Sequence, residues 1–109
     1  NKLLAILEIA SQSASKELPT SNEIIKMSDN EIIKLFTTIK GIGEWTVQML
    51  LIFNLGRLDI IPQNDLAIRK NYRKLKRLTN PITPKEITRI STVWSPYRSV
   101  ASWYLWQVD

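Results

Sequence analysis

Apolar residues recur at helical spacing along nearly the whole chain, and polar punctuation cuts them into short runs. Leu3, Leu4, Ile6, Leu7 and Ile9 predict a first helix over about 2–10, which fades into the small polar stretch Ser11 to Ser15. Thr20 or Ser21 then caps a short helix carrying Ile24, Ile25 and Met27. Ser28 with Glu31 forms a capping box: a hydroxyl takes one orphan N–H of the first turn and a carboxylate returns to the cap, with Met27 and Ile32 as a hydrophobic staple. This helix is predicted to run to about Thr38 and to bury Ile32, Leu35, Phe36 and Ile39. Gly41 stops it. After Gly41-Ile42-Gly43, a helix over about Glu44 to Leu55 is apolar on almost every side, the pattern of a helix at the centre of a bundle.

Gly56 ends that helix, and Arg57 to Asn64 is a loop containing Pro62. A basic helix begins near Asp65 and is expected to bury Leu66, Ile68, Tyr72 and Leu75. Thr83-Pro84-Lys85-Glu86 combines a capping box with proline at the first helical position, stapled by Ile82 and Ile87. Ser95-Pro96 predicts the same device before a last helix carrying Tyr97, Val100, Ala101, Tyr104 and Leu105. Strand alternation, internal repeats and low-complexity tracts are absent from the sequence. The predicted fold class is all-α, a single compact helical bundle over 1–109.

The net charge of +5 favours a polyanionic partner, nucleic acid ahead of membrane, because no basic amphipathic segment stands out as an anchor. No apolar run approaches the roughly 20 residues that a membrane span needs. Cysteine and histidine are both absent, which excludes disulfides, thiolate-held zinc or iron–sulfur clusters, and histidine general bases from this segment. Chemistry here runs on carboxylates, Lys, Tyr, Ser or Thr. The chain opens at Asn1 with the apolar pattern already under way, so it is expected to be a piece of a longer protein.

Two local features carry candidate chemistry. In Thr37-Thr38-Ile39-Lys40-Gly41-Ile42-Gly43-Glu44-Trp45-Thr46, two glycines admit positive φ and clear side chains from an approachable surface. The N–H groups that open the next helix suit a phosphate, and Lys40 is the best single side chain to join them. The plain alternative is a helical hairpin in which Gly41 is only a C-cap. Asp65 stands where a polar loop becomes a helix, the ordinary position of an N-cap, although Asn64 beside it caps equally well and leaves Asp65 for another task. Arg69, Lys70, Arg73, Lys74, Lys76 and Arg77 put six cations in nine residues, spread around an exposed arc that reads as a solvated face, with phosphate contact open to some of them.

The hairpin 37–46, followed by Gly56, Pro62 and Asp65 in the loop 56–65, resembles the helix-hairpin-helix DNA glycosylase superfamily. Trp94-Ser95-Pro96-Tyr97-Arg98-Ser99, with Trp103-Tyr104-Leu105-Trp106 after it, resembles the 3-methyladenine DNA glycosylase II branch; together these ordered motifs cover most of the chain. The resemblance implies a monofunctional enzyme of base-excision repair that hydrolyses the N-glycosidic bond of alkylated bases in double-stranded DNA. In it Asp65 is the catalytic carboxylate, stabilising an oxocarbenium-like transition state or activating water. A helix N-terminus favours the negative charge that both roles need.

By the same resemblance Trp45 and Tyr97 line the base pocket, where an aromatic face attracts a cationic methylated purine. Lys40, Gly41, Ile42, Gly43 and Thr46 grip the DNA backbone, and the carbonyls of Thr37, Ile39 and Ile42 hold a Na+ or K+ ion. Bifunctional relatives place a lysine nucleophile where this chain has Trp45, so no Schiff base and no strand cleavage are expected. Trp94, Trp103 and Trp106 are expected in the core, while Arg98 reads equally as structural or as a DNA contact. Helices upstream of the matched region, which complete the pocket in the family, are expected in the parent chain, so this polypeptide alone is expected to be weakly active or inactive. A cytoplasmic, nucleoid-associated bacterial location is the corresponding expectation. The alternative is a helix-hairpin-helix module that only grips the DNA backbone; the Gly/Pro/Asp loop and Trp45 favour the enzyme.

Overall fold

The computed structural model describes residues 20–108, and the helix expected over 2–10 lies outside them. Every regular element among the described residues is helical: α1 (Ser21–Lys26), α2 (Asp29–Phe36), α3 (Glu44–Phe53), α4 (Leu66–Leu75), α5 (Pro84–Ile90), a 3-10 turn (Ser91–Trp94) and α6 (Arg98–Trp106). The fold is all-α, and no helix among the described residues is long and apolar enough to cross a membrane. The chain divides between Gly56 and Arg57 into two compact units.

The first unit is organised by its caps. Thr20, rather than Ser21, caps α1: its hydroxyl accepts from the Glu23 N–H at 3.3 Å, and Glu23 returns to the cap. Ser28 and Glu31 form the predicted box on α2, at 3.2 Å for Glu31 N–H to Ser28 Oγ and 3.0 Å for Ser28 N–H to Glu31 Oε1. Helix α2 ends at Phe36, before Thr38, because Thr37 and Thr38 turn their hydroxyls back onto the Ile33 and Leu35 carbonyls at 2.6 Å each. Helix α2 packs against α3, and Ile32, Phe36, Ile39, Val47, Leu50 and Leu51 are buried. Helix α3 is less uniformly enclosed than its composition predicts. Trp45 and Phe53 are 46% and 61% exposed, whereas Gln48 is buried, with its Nε2 donating to Glu44 Oε1 at 3.4 Å.

The second unit is built on Ile61, Ile68, Ile82, Ile87 and Leu105, with Tyr72, Ile90, Trp94 and Trp106 packed around them. Thr83 and Glu86 form the predicted box on α5, with Pro84 in the first turn, and the stapling residues Ile82 and Ile87 both belong to the core. Helix α4 packs against α6, and the Asn71 amide donates to the Leu105 carbonyl at 2.8 Å.

Two leucines expected inside α4 are exposed, Leu66 at 66% and Leu75 at 58%. Leu66 is two positions from buried Ile68, which turns it about 200° round the helix; Leu75 is the last helical residue and lies outside the apolar cluster. On α6 the buried positions are Ser99, Ser102 and Leu105, so the expected face of Tyr97, Val100 and Tyr104 is turned outward. Trp94 tilts against Tyr72 at 5.8 Å and Trp106 packs on the core, as expected. Trp103 does not: it is half exposed and meets Tyr104 edge-on at 5.6 Å.

Helix α4 closes in a Schellman motif, with Leu78 N–H donating to the Arg73 carbonyl and Arg77 N–H to that of Lys74. The residue placed in the left-handed region is Arg77, at φ 56°. An L side chain there is strained by roughly 1 kcal/mol relative to glycine. Arg77→Gly is therefore expected to raise stability by about 1 kcal/mol in urea unfolding; an unchanged or lower midpoint would show that the arginine side chain compensates for its backbone.

Candidate functional site

The hairpin of the first unit is closed by its own backbone. Ile39 N–H donates to the Phe36 carbonyl at 3.1 Å and Ile42 N–H to the Ile39 carbonyl at 3.1 Å, which tightens the chain through Lys40 and Gly41. Gly41 has φ +89°, a conformation that disfavours any side chain. Gly43 has ordinary backbone angles and begins α3 as its N-cap, with no side chain to bond the first-turn N–H groups. A Cβ built on either glycine meets nothing within 4 Å, so the turn presents bare backbone to the outside. Ile42 plugs the unit, lining a small apolar cavity of about 30 Å³ with Phe36, Thr46, Val47 and Leu50. Lys40 and Thr46 are exposed, and Trp45 is half exposed in the first turn of α3.

Asp65 belongs to the second unit, and it is the N-cap of α4. Its Oδ1 accepts from the Ile68 N–H at 3.2 Å, the role that sequence reasoning assigns to Asn64. The capping bond fixes the carboxylate at the helix mouth while the residue stays partly exposed. Its backbone N–H donates to the Pro62 carbonyl at 3.0 Å, so the position of the acid depends on the loop before it. Tyr97 directly precedes α6 and is 58% exposed. Thus Lys40, Gly41, Ile42, Gly43, Trp45 and Thr46 share the hairpin of one unit, and Asp65 and Tyr97 stand at the N-terminal ends of two packed helices of the other.

The loop itself is held by α6 and the turn before it, through Arg98 and Ser95, which the sequence singles out, and through Asp59 and the Ser99 hydroxyl, which sequence reasoning passed over. Asp59 accepts a bidentate pair from Arg98, Nε to Oδ1 at 2.8 Å and Nη2 to Oδ2 at 3.0 Å. It also accepts from the Arg98 backbone N–H at 3.2 Å and from the Ser95 hydroxyl at 2.8 Å. Ser95 therefore grips the loop and does not cap α6, whose N-cap is Tyr97 with no side-chain bond. The Ser99 hydroxyl donates to the Arg57 carbonyl at 2.7 Å and accepts from Ile60 N–H at 2.8 Å, while Ser99 N–H donates to the Leu58 carbonyl at 2.8 Å. These bonds assign Arg98 to structure. The sequence signal was slight: small hydroxyl residues three apart on the buried face of α6, and one loop acid.

Comparison with known proteins gives these positions a context. The chain is 43% identical over 108 residues to DNA-3-methyladenine glycosylase 1 of Schizosaccharomyces pombe, covering 99% of the chain and 47% of that protein. The solved structure of the S. pombe 3-methyladenine DNA glycosylase in complex with abasic DNA superposes with a TM-score of 0.77 at 47% identity, over 82% of this chain and 43% of that one. Along nearly its whole length the chain is similar to DNA-3-methyladenine glycosylases. A second glycosylase relative, the alkylbase DNA glycosidase-like protein mag2 of S. pombe, is 36% identical over 100 residues, 92% of the chain and 47% of that protein. No family model matches the chain. The chain spans about half the length of these two curated relatives.

Within this fold, Arg98 holds the Asp59 carboxyl down at about 2, overcoming the desolvation that raises it, with the Ser95 hydroxyl and the Arg98 backbone adding to the lowering. A carboxylate depressed by folding contributes stability above its unfolded pKa, and that contribution is lost as pH falls through the folded value. The window is therefore about pH 4 down to about 2. The pair is partly solvated, so the contribution is on the order of 1 kcal/mol. Urea unfolding of wild type and Asp59→Asn is expected to differ by that amount above pH 4 and to converge near pH 2; a difference that does not change with pH would deny the ion pair its part.

Proposed function

We propose that the protein containing this chain is a monofunctional DNA N-glycosylase of base-excision repair that hydrolyses alkylated bases such as 3-methyladenine, with Asp65 as its catalytic carboxylate. The observation that carries the reading is Asp65 itself: a carboxylate pinned at a helix mouth by the Ile68 N–H, in a chain matched to a DNA-3-methyladenine glycosylase along 99% of its length.

The chemistry needs little else. Breaking the bond from C1′ to the base nitrogen leaves positive charge on the deoxyribose. A fixed carboxylate stabilises that charge as it develops, without first having to reorganise. Water then adds at C1′ and gives up a proton, to Asp65 or to solvent. An alkylated purine is already cationic and departs neutral, so a site with no histidine lacks nothing for this substrate. Trp45 and Tyr97 are assigned to the flipped base, where an aromatic face on a cationic ring contributes about 0.5–2 kcal/mol.

Lys40 and the backbone of Gly41, Ile42, Gly43 and Thr46 are assigned to DNA phosphates. The carbonyls of Thr37, Ile39 and Ile42 suit a Na+ or K+ ion: they are neutral oxygens, and that of Ile39 keeps a second lone pair after accepting from Ile42. Bound there, the ion supplies positive charge to a phosphate. Trp45 in the position of the lysine nucleophile supports base release without strand cleavage. The chain represents about half the length of such an enzyme, so full activity is expected of the whole protein. Its place in the cell is with the DNA. A bacterial nucleoid is the finer form of that proposal, and the relatives come from both yeast and bacteria.

One observation favours a second reading. The Asp65–Ile68 bond is what any N-cap makes, and a module that only grips DNA would need no more from it. Asp65→Asn separates the two, because asparagine caps a helix as well as aspartate does but carries no charge. In the full-length protein this variant is expected to keep its stability and DNA affinity while release of 3-methyladenine from methylated duplex falls by about 100-fold or more. Undiminished release would remove Asp65 from its role.

A further inference from the structure

Beside α4 in the second unit lies a groove of about 220 Å³, lined by Leu66, Arg69, Lys70, Arg73, Pro81 and Ile82. Half of the basic cluster thus converges on one concavity, where its helical spacing suggested a solvated arc with phosphate contact open to some of its members. Arg69 and Arg73 are four apart and share a face. The Arg69 guanidinium is anchored by Nη1 donating to the Ile82 carbonyl at 3.2 Å, and its Nε is buried with no hydrogen-bond partner. Arg73 is steadied by the Thr79 carbonyl at 3.5 Å, and Lys70 is exposed. The lining contains no acidic side chain. Three cations on one groove whose lining carries no carboxylate suit an anion.

The apolar share of the lining narrows the anion. Leu66, Pro81 and Ile82 give the groove a greasy wall beside its cations, which suits a ligand that alternates negative charge with apolar surface. A nucleic-acid strand does this, phosphodiester after deoxyribose. The location agrees: Leu66 directly follows Asp65, and the Arg69 backbone N–H donates to the Asp65 carbonyl at 3.4 Å. The groove therefore begins within one helical turn, about 5.4 Å, of the acid assigned to the sugar.

We propose that this groove is a second DNA-backbone site, separate from the glycine hairpin, in which Arg69, Lys70 and Arg73 take a phosphodiester of the strand whose sugar meets Asp65. This rests on the glycosylase reading above. The test uses the full-length protein and a duplex containing a stable abasic-site analogue, with affinity measured across a series of NaCl concentrations. Removal of one cation–phosphate interaction is expected to lower the slope of log K against log[NaCl] by roughly 0.9. The pair Lys70→Gln/Arg73→Gln is expected to reduce the slope by about 1–2, whereas Lys85→Gln, on α5 outside the groove, leaves it unchanged. In parallel, the Arg69 Nε–H resonance is expected to shift on adding duplex and not on adding a polyglutamate peptide.

An unchanged slope in the double variant, or a resonance that answers only the peptide, overturns the proposal, the latter in favour of an acidic protein partner. A reduced slope in a protein that releases no alkylated base would support the groove and retire the glycosylase reading, so the two failures are distinguishable.

Discussion

The bidentate Asp59–Arg98 pair is the interaction on which the position of Asp65 in the second unit depends. The segment Arg57 to Asn64 has no helix or strand to hold it, yet it sets where α4 begins and so where Asp65 stands. Its order comes from α6 and the turn before it: Arg98 and Ser95 on Asp59, Ser99 on the backbone of Arg57, Leu58 and Ile60. The buried Ile60, Ile61 and Pro62 then seat the loop against the interior, and the Pro62 carbonyl receives the Asp65 N–H. A seam of this kind is directional. Apolar surfaces tolerate some sliding, but a fork of two N–H groups on two carboxylate oxygens has one alignment.

The hairpin of the first unit is made rigid differently. Short backbone bonds from Phe36 to Ile42 close the turn, and the buried Ile39 together with the plug Ile42 ties it to the unit. Rigidity obtained this way leaves the outer surface free of side chains. That suits an element whose assigned task is close contact with a phosphate. The loop and the hairpin thus solve opposite problems, one fixing a side chain and the other clearing side chains away.

How much of this was legible follows from the range of the interactions. The capping boxes at Ser28 and Thr83 were readable because both partners lie three residues apart, and the all-α fold follows from the same local periodicity. The assignment of Asp65 over Asn64 as cap was not readable, since both residues are good caps and the choice depends on where the loop delivers the chain. The faces of α6 were misread for a physical reason. Its buried positions Ser99 and Ser102 serve hydrogen bonds to residues 39 to 42 positions away, so the more apolar Val100 and Tyr104 are left outside. Hydrophobicity identifies a buried face only when the neighbour is apolar too. For the same reason Asp59 carried no signal until Arg98 was seen beside it.

The open space around Gly43 has a further consequence. Gly41 is constrained by its own dihedral, so any residue introduced there disturbs the fold and the surface together. Gly43 is under no such constraint: its backbone is extended and a methyl group would touch nothing in the protein. The two glycines, one residue apart, thus divide the work. One makes the turn, and the other leaves bare backbone at the surface, an opening that the proposed function fills with a DNA phosphate.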